Sequence, residues 1–135
     1  MKLKRALARL APVALAAAAA SLLTASPASA ISWDWGPYYD SSKGVKVYFE
    51  EKGDRLKVCD IKSDGKWVMA WVDVQGGKSI YLADTKNDGK CRYSKASDSS
   101  YYNLPEKKWI EITPCTSTGN MCDTTGKTRS FYNDH

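Results

Sequence analysis

The sequence predicts an all-β protein: a small, disulfide-stapled antiparallel sandwich or barrel preceded by an extended N-terminal arm. Three observations carry this reading. From residue 45 onward turn residues recur every 8 to 12 positions, the segments between them alternate apolar and polar side chains, and no apolar stripe of helical period competes with them. Short, evenly spaced strands of this kind build sandwiches and small barrels.

The first thirty of the 135 residues read as a leader rather than as structure. Lys2, Lys4, Arg5 and Arg9 make a basic start, an alanine-rich run follows, and Ala28-Ser29-Ala30 supplies the small-x-small pattern that a signal peptidase reads. Pro12 and Ser21 break the apolar run, which argues against a retained membrane anchor. Cleavage after Ala30 leaves 105 residues, an arm over 31–44 and one β-domain over 45–135, and predicts a secreted, extracellular protein. Four of the twenty Lys and Arg residues fall in the leader, so the formal charge drops from +5 to +1. A nucleic-acid-binding role needs a basic face, and that balance gives no reason to expect one.

Within the domain, 45–49 (VKVYF) and 55–61 (RLKVCDI) predict the first two strands, with Leu56, Val58 and Asp60 opposite Lys57, Cys59 and Ile61. Residues 67–74 (WVMAWVDV) predict the third. There Trp67, Met69, Trp71 and Asp73 share one face, and Val68, Ala70, Val72 and Val74 share the other. Residues 79–85, 91–95, 108–115 and 127–133 complete the set, and Trp109, Glu111 and Thr113 alternate with Ile110, Ile112 and Pro114. The polar segment 96–107 (ASDSSYYNLPEK) is left as a loop carrying Tyr101 and Tyr102, long enough to suggest a function.

Cys59, Cys91, Cys115 and Cys122 all follow the leader, as suits an exported domain of modest core. Cys115 and Cys122 are close enough for a local bridge across CTSTGNMC, which pairs Cys59 with Cys91 over a longer loop; the other two pairings stay open. Loop-closure entropy assigns about 2.5 kcal/mol to the short bridge and about 3.7 kcal/mol to the long one. The cysteine spacings do not fit a zinc site and the lone histidine is His135, so no metal and no cofactor is expected.

The heptapeptide DIKSDGK (60–66) echoes as DTKNDGK (84–90). The pattern resembles the front of a calcium loop, but Lys62 and Lys86 occupy the middle ligand position and an ammonium repels the ion. Asp-Gly between two strand patterns instead predicts hairpin turns. Catalysis has no support: there is no nucleophile–histidine constellation, and Asp34, Asp40, Glu50, Glu51, Asp73 and Glu111 are ordinary surface carboxylates by pattern. A non-enzymatic protein is expected. Trp67 and Trp71 read first as packing residues and second as a platform for stacking sugars.

The arm ISWDWGPYYD carries Trp33, Trp35, Tyr38 and Tyr39 within seven residues. Pro37 favours an extended form, and a fourteen-residue arm reaches up to about 45 Å. Such a segment either captures a partner with its aromatic anchors or folds back over its own sheet.

The alanine-rich leader, small size and four-cysteine β-domain resemble small secreted proteins of Streptomyces-type actinobacteria. Within that group the layout, with ISWDWGPYYDSSKG as strap and 45–133 as domain, is similar to the adaptor subunit of umbrella toxin particles. The resemblance implies a strap that inserts into a cleft of a lectin subunit and joins it to a larger toxin-bearing one. The expected function is therefore a secreted protein-binding adaptor, possible partners being toxin-complex subunits, contacted through Trp33, Trp35, Tyr38 and Tyr39. The alternative is a hydrolase inhibitor (of a protease or amylase) acting through Tyr101 and Tyr102 in loop 96–107.

Overall fold

The computed structural model describes residues 30–119 and 121–135. The expected leader, apart from Ala30, lies outside the described residues. Nine strands follow: β1 (Trp35–Tyr39), β2 (Val45–Glu50), β3 (Arg55–Asp60), β4 (Trp67–Val74), β5 (Lys78–Asp84), β6 (Cys91–Ser94), β7 (Lys108–Ser117), β8 (Thr124–Thr125) and β9 (Arg129–Asn133). One 3-10 turn, Ala96–Asp98, opens the loop between β6 and β7.

The strands form two antiparallel sheets, not closed into a barrel. The first has the order β1-β2-β3-β6; in the second β5, β4 and β7 run side by side, with β8 and β9 sharing the far edge of β7. Alternation fixes which face each strand buries. Val45, Val47 and Phe49 lie opposite Asp60, Val58 and Leu56, and Val72 lies between Ile80 and Ile112. Apart from the buried Asp60, these residues, with Val68, Ala70, Leu82, Ile110 and Phe131, make the core between the sheets. A register slip of one residue would turn this whole set to solvent, which is why the pairing is well specified.

Both disulfides pair as the spacing suggested. Cys59 and Cys91 are directly opposed on β3 and β6. Cys115–Cys122 closes the turn leaving β7.

The two Asp-Gly segments differ from expectation. Both turn the chain, but neither makes a hairpin: 61–66 carries it from β3 in the first sheet to β4 in the second, and 85–90 carries it back from β5 to β6. The reason is local. Asp60 accepts from the Lys62 amide and Asp64 from the Lys66 amide; Asp84 and Asp88 do the same for Lys86 and Lys90. Each segment thus bends twice, once at each aspartate, with Gly65 and Gly89 at positive φ inside the second bend. Two bends span the gap between sheets where one would fold back beside the first strand.

A buried carboxylate ties the two sheets together. Asp40 follows β1 and is 3% exposed. It accepts hydrogen bonds from the amides of Ser42, Gly44 and Val45, from the Ser42 hydroxyl, and from Thr116 on β7 and Thr124 on β8. Burial alone would raise its pKa; the donors from Ser42, Thr124, Gly44 and Val45 outweigh it and hold the carboxyl below its ordinary value. Asp40→Ala, which strands these donors, is expected to cost about 3 kcal/mol in denaturant unfolding at pH 7. Because the folded pKa is lowered, that contribution is complete above the ordinary carboxylate pKa and lost as pH falls through the folded value. The gap between wild type and variant should therefore narrow under acid.

Candidate functional site

The arm residues are placed first, because the sequence pointed to them. The extended form is present, and it is an edge strand of the chain's own first sheet. Trp35 stands opposite Phe49 and Tyr38 opposite Val47, with a one-residue bulge between them. Gly36 makes the bulge feasible: its φ is +108°, and a Cβ there would sit 2.5 Å from the Val47 carbonyl oxygen. As a result Trp35 and Tyr38, three residues apart, both face the core.

Trp35 stacks on Phe131 of β9 at 4.9 Å between ring centroids, and its indole N–H donates to Glu51 Oε1. Tyr38 is half-buried beneath the Arg129 guanidinium; burial raises its phenol pKa, and Arg129 offsets part of that. Trp33 lies over the outer face of the first sheet, beside Tyr48 and Tyr93. The Lys57 ammonium sits 5.0 Å from the Tyr48 ring and 5.5 Å from those of Trp33 and Tyr93. Tyr39 alone of the four is exposed, at 43%.

The loop residues have a different setting. Tyr101 is exposed, and its phenol oxygen accepts from the Tyr81 amide on edge strand β5 at 3.0 Å. It meets Tyr81 and Tyr102 edge-on, at 6.4 and 5.0 Å between centroids. Tyr81 in turn packs on Trp71 at 5.2 Å. The outer face of the second sheet thus carries a continuous aromatic run, Trp71–Tyr81–Tyr101–Tyr102. Arg92 borders it, reaching from β6 to donate to the Ala83 carbonyl. Tyr81, Ala83, Thr85, Arg92, Tyr101 and Tyr102 line a shallow pocket of 320 Å³, and Trp67 and Met69 flank a smaller one of 170 Å³ that shares Tyr81, Ala83 and Thr85. At the other side of the same face Trp109 and Tyr132 form an exposed edge-to-face pair.

The serine-rich loop is tightly held. Lys78 Nζ donates to the carbonyls of Ser100 and Asn103, the Ala96 amide donates to Gly53, and Leu104 is buried in the core. Asp54 completes the clamp: Oδ2 accepts from the Leu104 amide at 2.7 Å, and Oδ1 faces Asn133 Nδ2 at 3.4 Å. Asp54 is 3% exposed. Burial pushes its pKa up to about 6, aided by the Glu106 charge and opposed by the Leu104 and Asn133 hydrogen bonds and by Lys78.

Tyr81, Arg92, Trp109 and Tyr132 were not singled out from sequence. Tyr81 was readable as outward-facing, since Ile80 and Leu82 alternate with it, but only strand pairing brings it beside Trp71. With this geometry established, the chain matches no protein-family model, no curated protein and no solved structure. Its class is therefore defined by the fold alone: an antiparallel sandwich, nine-stranded among the described residues, with two disulfides.

The Asp54 clamp predicts a pH dependence of opposite sign to that of Asp40. A raised folded pKa means that between pH 4 and 6 the native state holds a proton the unfolded chain has released, so stability falls as pH rises through that window. Asp54→Asn keeps an acceptor for Leu104 and removes the charge. Its unfolding free energy relative to wild type should increase by about 2–3 kcal/mol between pH 4 and 7, measured by denaturant titration at each pH.

Proposed function

We propose that this chain is an extracellular, non-enzymatic protein-binding domain whose contact surface is the aromatic run Trp71–Tyr81–Tyr101–Tyr102. The observation that carries the reading is that these rings touch one another in sequence and that the middle two are exposed: Tyr81 is 46% and Tyr101 41% exposed, with half-buried Trp71 and Tyr102 flanking them and a guanidinium at the rim. Tyr, Trp and Arg dominate the energetics of protein interfaces. The loop that presents Tyr101 is pinned by Lys78, Asp54 and Leu104, so docking orders little that is not already ordered. The two disulfides suit an oxidising, extracellular setting.

The sharper form of this reading is an adaptor in an extracellular toxin assembly. Docking that inserts Trp35 would first require it to leave Phe131 and Glu51, which leaves Tyr39 as the arm's one exposed anchor. The aromatic face needs no such rearrangement, and it is the contact we favour. A second reading, inhibition of a secreted hydrolase, uses the same surface and is favoured by the rigid setting of loop 96–107.

The test is capture from the culture supernatant of the producing organism with three baits: wild type, Tyr81→Ala/Tyr101→Ala, and Trp33→Ala. The partner retained by wild type should be lost with the double variant, at least tenfold, since each anchor contributes about 2 kcal/mol. It should be kept by Trp33→Ala. The reverse pattern would return the contact to the arm, and a captured hydrolase whose activity falls on binding would decide for the inhibitor.

A further inference from the structure

We propose that Glu51, Asp134 and His135 form a binding site for a divalent first-row transition metal of the zinc type. Each offers one ligand atom, and the three atoms lie within 4.8 Å of one another. His135 Nε2 is 3.9 Å from Glu51 Oε2 and 3.8 Å from Asp134 Oδ1. Zinc binds imidazole nitrogen and carboxylate oxygen at about 2.0–2.2 Å, which places tetrahedral ligand atoms about 3.3 Å apart. The two histidine–carboxylate spacings need to close by about half an ångström, and the two carboxylate oxygens, within 4.8 Å, by at most about 1.5 Å. The two side chains that must move, Asp134 and His135, are 64% and 59% exposed and free to do so.

The third ligand is already fixed. Glu51 belongs to the turn between β2 and β3 and is 9% exposed. Its Oε1 receives the Trp35 indole N–H, and its amide donates to Asp34. Its Oε2 accepts no hydrogen bond among the described residues and faces the imidazole. A carboxylate with one oxygen held by a neighbouring donor and the other directed at a histidine is the supported arrangement that orients metal ligands. One nitrogen and two oxygens select zinc, cobalt, nickel or copper over calcium and magnesium, which take all-oxygen shells. The expectation of no metal rested on the cysteines and on a single histidine; this site uses one histidine and no cysteine. Loading it would tie residues 134 and 135 to the β2–β3 turn and, through Glu51, hold Trp35 and β1 in place.

The experiment uses untagged, metal-stripped protein and Zn²⁺ as the probe, followed by calorimetric titration and thermal melting. Wild type should bind one Zn²⁺ per chain with a dissociation constant of micromolar order and melt several degrees higher in its presence. Mg²⁺ should do neither. His135→Ala alters an exposed side chain, should fold as wild type does, and should lose both effects; Glu51→Gln should weaken binding at least tenfold. No stoichiometric binding by wild type, or equal binding by His135→Ala, overturns the proposal.

Discussion

The sandwich depends on a buried carboxylate that meets only hydrogen-bond donors. Two small sheets can slide or splay unless something fixes their relative placement, because apolar burial has no direction. Asp40 supplies direction. Its amide donors set the entry into β2, and its threonine donors belong to β7 and β8 in the facing sheet. Close backbone approach surrounds it. A Cβ on Gly44 would lie 2.9 Å from Thr116 Cγ2, and one on Gly126 would lie 2.0 Å from the Tyr39 carbonyl oxygen. At that corner the first hairpin is locked against the second sheet.

The aromatic residues divide into two populations by what covers them. Trp33, Trp35 and Tyr38 lie against the chain's own rings and cations: Tyr48, Tyr93 and Lys57 outside, Phe131 and Arg129 at the sandwich edge. Tyr81, Trp109 and Tyr132 remain exposed on the opposite sheet and Tyr101 on the loop beside it, while Tyr39 and Tyr93 stay exposed on the first. Composition treats both populations alike. Register and strand neighbours separate them, and that separation is why we propose the face of β4 and β5 as the contact surface.

Where side-chain alternation was uninterrupted, the sequence was sufficient. β4 coincides with the segment expected at 67–74, and its Val and Ala face is the core face. Spacing favoured the cysteine pairing that is present, although it left the other two open. Strand β1 did not, because a bulge at Gly36 breaks the period of two on which strand recognition rests; Trp35 and Tyr38 look misaligned until the extra residue is counted. Crossovers 61–66 and 85–90 read as hairpins in sequence because an Asp-Gly bend looks the same whether the chain folds back or moves to a facing sheet. The Glu51–Asp134–His135 group was illegible for a simpler reason: two of its members are more than eighty positions from the third. The aromatic face was half legible, since Trp71, Tyr101 and Tyr102 were named, while the tyrosine that connects them needed the β4–β5 register.

The stack of Trp35 on Phe131 joins the first strand to the last. Contacts this distant in sequence form late, since the loop they close is nearly the whole domain and its entropy must be overcome before the contact stabilises anything. The chain also crosses between sheets at each of the two Asp-Gly segments, so neither sheet is assembled from consecutive strands alone. The folding nucleus is then best sought in the local hairpins β2–β3 and β4–β5, with the edge strand and its tryptophan joining last. In that order of events the first strand is also the first to detach, and opening of the native protein begins at its N-terminal edge while the second sheet and its aromatic face remain intact.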